Sequence, residues 1–138
     1  MPWTCPRCGR SFGRRGQSHS CVPAADLEDW LAGRPALVGD VVAAVRAALG
    51  SIADDVTYEA TTAAVMVKRA RTFAEVKPRR DRVELAFIVT RRIDDPRIVR
   101  TLDLTRRRIV HVVDLDDVSG VDEQVRAWLA EAYDSSPL

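Results

Sequence analysis

Lysine is nearly missing from this chain of 138 residues: Lys68 and Lys77 are the only two among twenty-one basic side chains. The positive charge is therefore arginine, a bias that a GC-rich genome produces as readily as a demand for bidentate phosphate recognition. No run of about eighteen apolar residues occurs, which argues against a membrane span. The start, MPWTCPRCGR, lacks the hydrophobic stretch of a secretory signal, so a reducing cytoplasmic setting is expected. Cysteine is scarce as well. There are three, they cannot pair off among themselves, and all fall within the first 21 residues, which favours metal binding over disulfides. Aromatic residues make up 6% and the formal net charge is +1, so neither gives a global argument for nucleic acid.

The charge that is present is segmented. Residues 1–22 hold Arg7, Arg10, Arg14 and Arg15 and no acid, whereas residues 23–55 are acidic. A basic stretch follows, with Lys68, Arg69, Arg71, Lys77, Arg79, Arg80 and Arg82 opposed only by Glu75 and Asp81. The length suits one compact domain with a short appendage, divided as a metal module over 1–22 and a body over 23–138.

Periodicity predicts the elements of the body. A short helix is expected over Ala25–Leu31. A longer one is expected over Pro35–Leu49, where Val38, Val41, Val42, Val45 and Leu49 recur at helical spacing, Pro35 starts it and Gly50 stops it. Strand signals cover Val56–Ala60, Ala64–Arg69, Thr72–Lys77, Arg82–Thr90, Val99–Leu104 and Arg108–Leu115. A last helix over Val121–Tyr133 buries Val125, Trp128, Leu129 and Ala132, with Ser119 as its cap and Asp122 and Glu123 at the positive end of its dipole. Helix, antiparallel meander, helix is an α+β plan: a sheet packed against two helices, preceded by an N-terminal zinc knuckle.

The knuckle reads CPRCGRSFGRRGQSHSC, that is C-x2-C, ten residues, then H-x-C. Two thiolates of one tight turn can bind the same ion, and Gly9 can take the positive φ such a turn needs. In an extended segment residues two apart point the same way, so His19 and Cys21 can face one metal. Cys5, Cys8, His19 and Cys21 then form a closed shell for structural Zn2+, with no open position for water. The H-x-C spacing is shorter than the usual H-x3–5-H.

These residues resemble the start of the bacterial family called domain of unknown function 5655. The likeness continues through VKRARTFAEVKPRRDRVELAF (Val67–Phe87), IVHVVDL (Ile109–Leu115) and VDEQVRAWLAEAY (Val121–Tyr133). The resemblance implies a small cytoplasmic protein with an α+β body and no assigned activity.

Three binding chemistries follow from the residues. Arg10, Arg14, Arg15 and Gln17 cluster between the ligand pairs, with Phe12 as a stacking platform, in the way zinc knuckles meet phosphates and unstacked bases. The bland alternative is a solvated arginine loop. Lys68, Arg69 and Arg71 form a candidate anion site on the sheet, for a small ligand or a protein partner, and a hairpin with external charges is the structural alternative. Enzyme chemistry has less behind it: His111 sits mid-strand, where histidines mostly pack or hydrogen-bond, and no nucleophile is placed beside it by motif. The acids Asp114, Asp116 and Asp117 fail the calcium-loop pattern and suit a helix start instead. The sequence therefore points to a non-enzymatic zinc-binding module. Nucleic acid is its first expected partner, and a protein or small anion at the sheet face is the alternative.

Overall fold

A computed structural model of the chain describes residues 2–7, 9, 11–17 and 27–136. A two-stranded hairpin, β1 (Trp3–Thr4) and β2 (Ser11–Phe12), comes first. The body then runs α1 (Leu27–Ala32), α2 (Ala36–Gly50), β3 (Thr57–Ala60), β4 (Val65–Lys68), β5 (Thr72–Pro78), β6 (Val83–Val89), β7 (Ile98–Thr105), β8 (Arg108–Leu115) and α3 (Glu123–Ser135). All six body strands form one antiparallel sheet in the order β3-β4-β5-β6-β8-β7.

The expected meander therefore holds from β3 to β6 and fails after it. Strand β7 runs at the outer edge, and β8 returns to fill the place beside β6. Burial explains the exchange. Strand β8 is apolar on both faces, with Ile109, Val112, Val113 and Leu115 buried, and such a strand belongs inside a sheet. Strand β7 carries Arg100 and Asp103 and leaves most of its length exposed, which suits an edge. The connection between β6 and β7 is held by His111: the Ile93 N–H donates to its Nε2 at 2.9 Å, while its Nδ1 lies 3.0 Å from the Ile109 carbonyl. A carbonyl can only accept, so Nδ1 carries the proton and the ring is neutral.

Helices α2 and α3 cover one face of the sheet. The α2 stripe Val38, Val41, Val42, Val45 and Leu49 is buried as the periodicity predicts. Gly50 is its last helical residue rather than the stop beyond it, and Ser51 closes the end in the right-handed region. The cap of α3 is Asp122, not Ser119. The Asp122 carboxylate accepts the Val125 N–H at 2.9 Å, whereas Ser119 sits in a preceding 3-10 turn and donates its N–H to Asp117. A carboxylate three residues ahead of a free amide satisfies both the hydrogen bond and the helix dipole. Beneath the helices, Phe87 stacks between His111 and Trp128, each at 5.5 Å between centroids, and the Arg97 guanidinium lies over Trp128.

Candidate functional site

Strand alternation sends every second side chain to the face that α2 and α3 leave open. Cross-strand register arranges those residues in rows. Glu75, Ala86 and Val112 are level with one another, Ile88 is level with Val110 and Leu102, and Arg108 begins β8 two positions before Val110. Ala86 is small, so the floor dips there. The loop Phe12–Gln17 of the N-terminal hairpin stands over one side, and the space between them is a cavity of about 700 Å³.

Lys68 and Glu59 hold the hairpin in place. The buried Lys68 ammonium pairs with Glu59 Oε2 at 3.0 Å, donates to the Ser11 carbonyl and lies 4.6 Å from the centre of the Phe12 ring. The other Glu59 oxygen accepts the Ser11 N–H. Lys68 lines the cavity with its charge already committed. Phe12 is buried between Lys68 and Trp3, so its ring is not the exposed platform expected from the sequence.

Arg69 points elsewhere, as the alternation of neighbours requires. It bonds Asp55 at 3.3 Å and the Tyr133 carbonyl, with its guanidinium over the Tyr133 ring, and so ties β4 to the end of α3. Arg71 lines the cavity. Gly13 packs against it so closely that a methyl there would come within 2.8 Å of Arg71 Cγ. Across the mouth is Arg108, a residue that sequence reading missed. Its Nη2 donates to the Thr72 carbonyl at 3.2 Å. Burial, and then the like charge of Arg71, hold the Arg108 guanidinium below its usual value. Neither Arg71 nor Arg108 has a carboxylate partner among the described residues. Arg14 and Gln17 complete the hairpin side of the cavity, Arg15 is exposed away from it, and Arg10 lies outside the described residues.

The far end of the groove holds a carboxylate, Glu75, among charges of both signs. Glu75 is half-buried, and burial pushes its carboxyl above the usual range, with Glu84 adding to the shift while Lys77 and Arg79 oppose it. Burial also pushes Glu84 up, but Arg79 at 3.0 Å and Arg100 at 3.4 Å hold it below its usual value. Glu75 has no hydrogen bond or ion pair among the described residues, and it is a second feature that sequence reading missed. His111 lies on the covered face, fully buried, and takes no part in the groove.

Of the expected metal ligands, Cys5 is described. It is buried, and the Gly9 N–H donates to its carbonyl at 2.8 Å with Gly9 at φ +73°, the tight turn anticipated for C-x2-C-G. Cys8, His19 and Cys21 lie outside the described residues, and among the described residues no three potential ligands come together. No described helix is long and apolar enough to cross a membrane.

A family model described as "Domain of unknown function (DUF5655)" matches residues 27–136. The chain belongs to the DUF5655 family. The match runs from α1 to the end of α3, so the DUF5655 unit is the sheet with its helices, and the hairpin precedes it. The groove is thus composite, with Arg71, Glu75 and Arg108 from the DUF5655 unit and Gly13, Arg14 and Gln17 from the hairpin. No curated protein and no solved structure matches the chain.

Proposed function

We propose that this protein is a non-enzymatic binding module, which takes a small anionic ligand in the groove on the open sheet face and uses zinc to shape one wall. The observation that carries the reading is the pair Arg71 and Arg108. Two guanidiniums share the mouth of a cavity of about 700 Å³ with no carboxylate partner among the described residues. Arg108 is half-buried and Arg71 exposed beside it; an anion joining the two relieves their mutual repulsion, and guanidiniums suit carboxylate and phosphate oxygens. The apolar floor of Ala86, Ile88 and Val110 suits a ligand with an apolar body.

The zinc belongs to the hairpin. The buried Cys5 and the Gly9 turn beside it fit the first half of a Cys5, Cys8, His19, Cys21 shell. A closed shell of this kind supplies folding energy rather than chemistry, on the order of 10–16 kcal/mol in small zinc modules. Its effect here would be to fix the loop that carries Gly13, Arg14 and Gln17.

Nucleic acid is the competing partner, favoured by the exposed Arg7, Arg14 and Arg15 and disfavoured by the buried Phe12. Amide chemical-shift titration of the zinc-loaded chain separates the two. With octanoate, the resonances of Ile88 and Val110 are expected to move. A salt-dependent response to mixed-sequence oligonucleotides that leaves those two residues still would instead support nucleic acid. Metal analysis tests the zinc: one ion per chain is expected, and a Cys8→Ser variant with unchanged zinc content would sink the ligand assignment.

A further inference from the structure

The groove is bipolar, and its two ends restrict what can lie in it. At one end stand Arg71 and Arg108, and at the other Glu75, each without an ion-pair partner among the described residues. The register measures the gap. Glu75 is level with Ala86 and Val112, and Val112 is four positions beyond Arg108 on β8, a backbone span of about 13 Å. Side chains reaching inward shorten it. Between the ends the floor is Ala86, Ile88 and Val110, with Leu102 on the outer side, 59% exposed although apolar. Lys77, two positions beyond Glu75, offsets part of its charge from a distance but makes no ion pair with it among the described residues, so the Glu75 oxygens keep their capacity to accept from a ligand.

Resting on the reading of the groove as an anion site, we infer that the ligand is itself bipolar. It carries a single acidic group between Arg71 and Arg108, an apolar body over Ile88 and Val110, and an amino or hydroxyl donor facing Glu75. A half-buried carboxylate without a donor is costly, and a ligand that supplies one removes that cost. The same carboxylate repels a second acidic group, so Glu75 selects against diacids and sets the direction in which the ligand lies.

Three eight-carbon probes test this on the full zinc-loaded chain, each titrated while amide shifts are followed: octanoate, 8-aminooctanoate and octanedioate. The amino acid is expected to bind roughly tenfold tighter than octanoate and the diacid roughly tenfold weaker, the effect of one charged hydrogen bond gained or one repulsion introduced. All should move Ile88 and Val110. Glu75→Gln should bring the three affinities together, and Glu75→Asp, which keeps the charge and withdraws it by one methylene, should retain the ranking in weaker form. Equal affinities for the three in the parent protein, with Ile88 and Val110 still responding, overturn the bipolar ligand and leave the anion groove standing. No response at Ile88 or Val110 to any probe overturns both.

Discussion

Toward α2 and α3 the sheet presents Leu85, Phe87, Val89 and Val113, all buried, and the buried His111 among them has both ring nitrogens engaged. The alternate residues of the same strands, Glu75, Ala86, Ile88 and Val110, face the other way. There they meet Arg71 and Arg108 across a cavity instead of a helix. A requirement for stability alone explains the first face, where the buried histidine is paired and the aromatic rings stack. It does not explain the second, where charges stand without partners among the described residues beside an apolar floor. On the proposed reading, stability is concentrated on the covered face and binding chemistry on the open one.

Truncation breaks or sharpens this contrast most strongly. Phe87→Ala empties the stack between His111 and Trp128 and is expected to cost about 3–5 kcal/mol in urea unfolding. Ile88→Ala, one residue away on the open face, should cost less than about 2 kcal/mol. Equal costs would mean that the two faces are not distinct.

Acid response separates the faces by sign. Burial holds the His111 pKa below its ordinary 6.5. As pH falls below that value the unfolded chain takes the proton first, so stability present above about pH 6.5 is lost on acidification. His111→Phe should remove this dependence, at about 1–3 kcal/mol for the stranded Ile93 N–H. Glu75 acts in the opposite direction. Its raised carboxyl takes the proton first in the folded state, so its contribution is greatest below the ordinary carboxylate value and is lost as pH rises through the raised one. Glu75→Gln should therefore steepen the acid loss that His111 causes. Urea midpoints collected from pH 7.5 to 4 on the parent and both variants check the two signs.

The hairpin effects are smaller. Lys68→Met leaves Glu59 without its counter-ion and the Ser11 carbonyl without the ammonium donor, and should cost about 1–2 kcal/mol, with the hairpin amides losing their protection from exchange. Zinc removal by a chelator should change the unfolding free energy of the body by less than about 1 kcal/mol, because its core contains no hairpin residue, yet weaken octanoate binding several-fold.

Much of the body was legible in the sequence because its elements depend on local period. The six strands and the α2 and α3 stripes appear within a residue or two of where alternation and helical spacing place them. Strand order was not legible, since the exchange of β7 and β8 depends on which strand is apolar on both faces and on a histidine eighteen residues from its loop partner. The site was legible only in part. Arg71 and Arg14 follow from the basic segments. Arg69 was misplaced although its position next to Lys68 already puts the two on opposite faces. Arg108 and Glu75 become site residues only through the register of β5, β6 and β8. In the N-terminal segment the turn at Cys5 and Gly9 is as the motif implies, and the other three residues expected to bind zinc lie outside the described residues.

The most direct measurement is calorimetric titration of octanoate into the zinc-loaded protein and its Arg71→Gln, Arg108→Gln double variant, with urea unfolding of both alongside. Expected is a loss of affinity of at least roughly tenfold, while the unfolding free energy changes by no more than about 1 kcal/mol for the Thr72 hydrogen bond. Undiminished binding in a folded double variant would contradict a ligand role for the open face of the sheet.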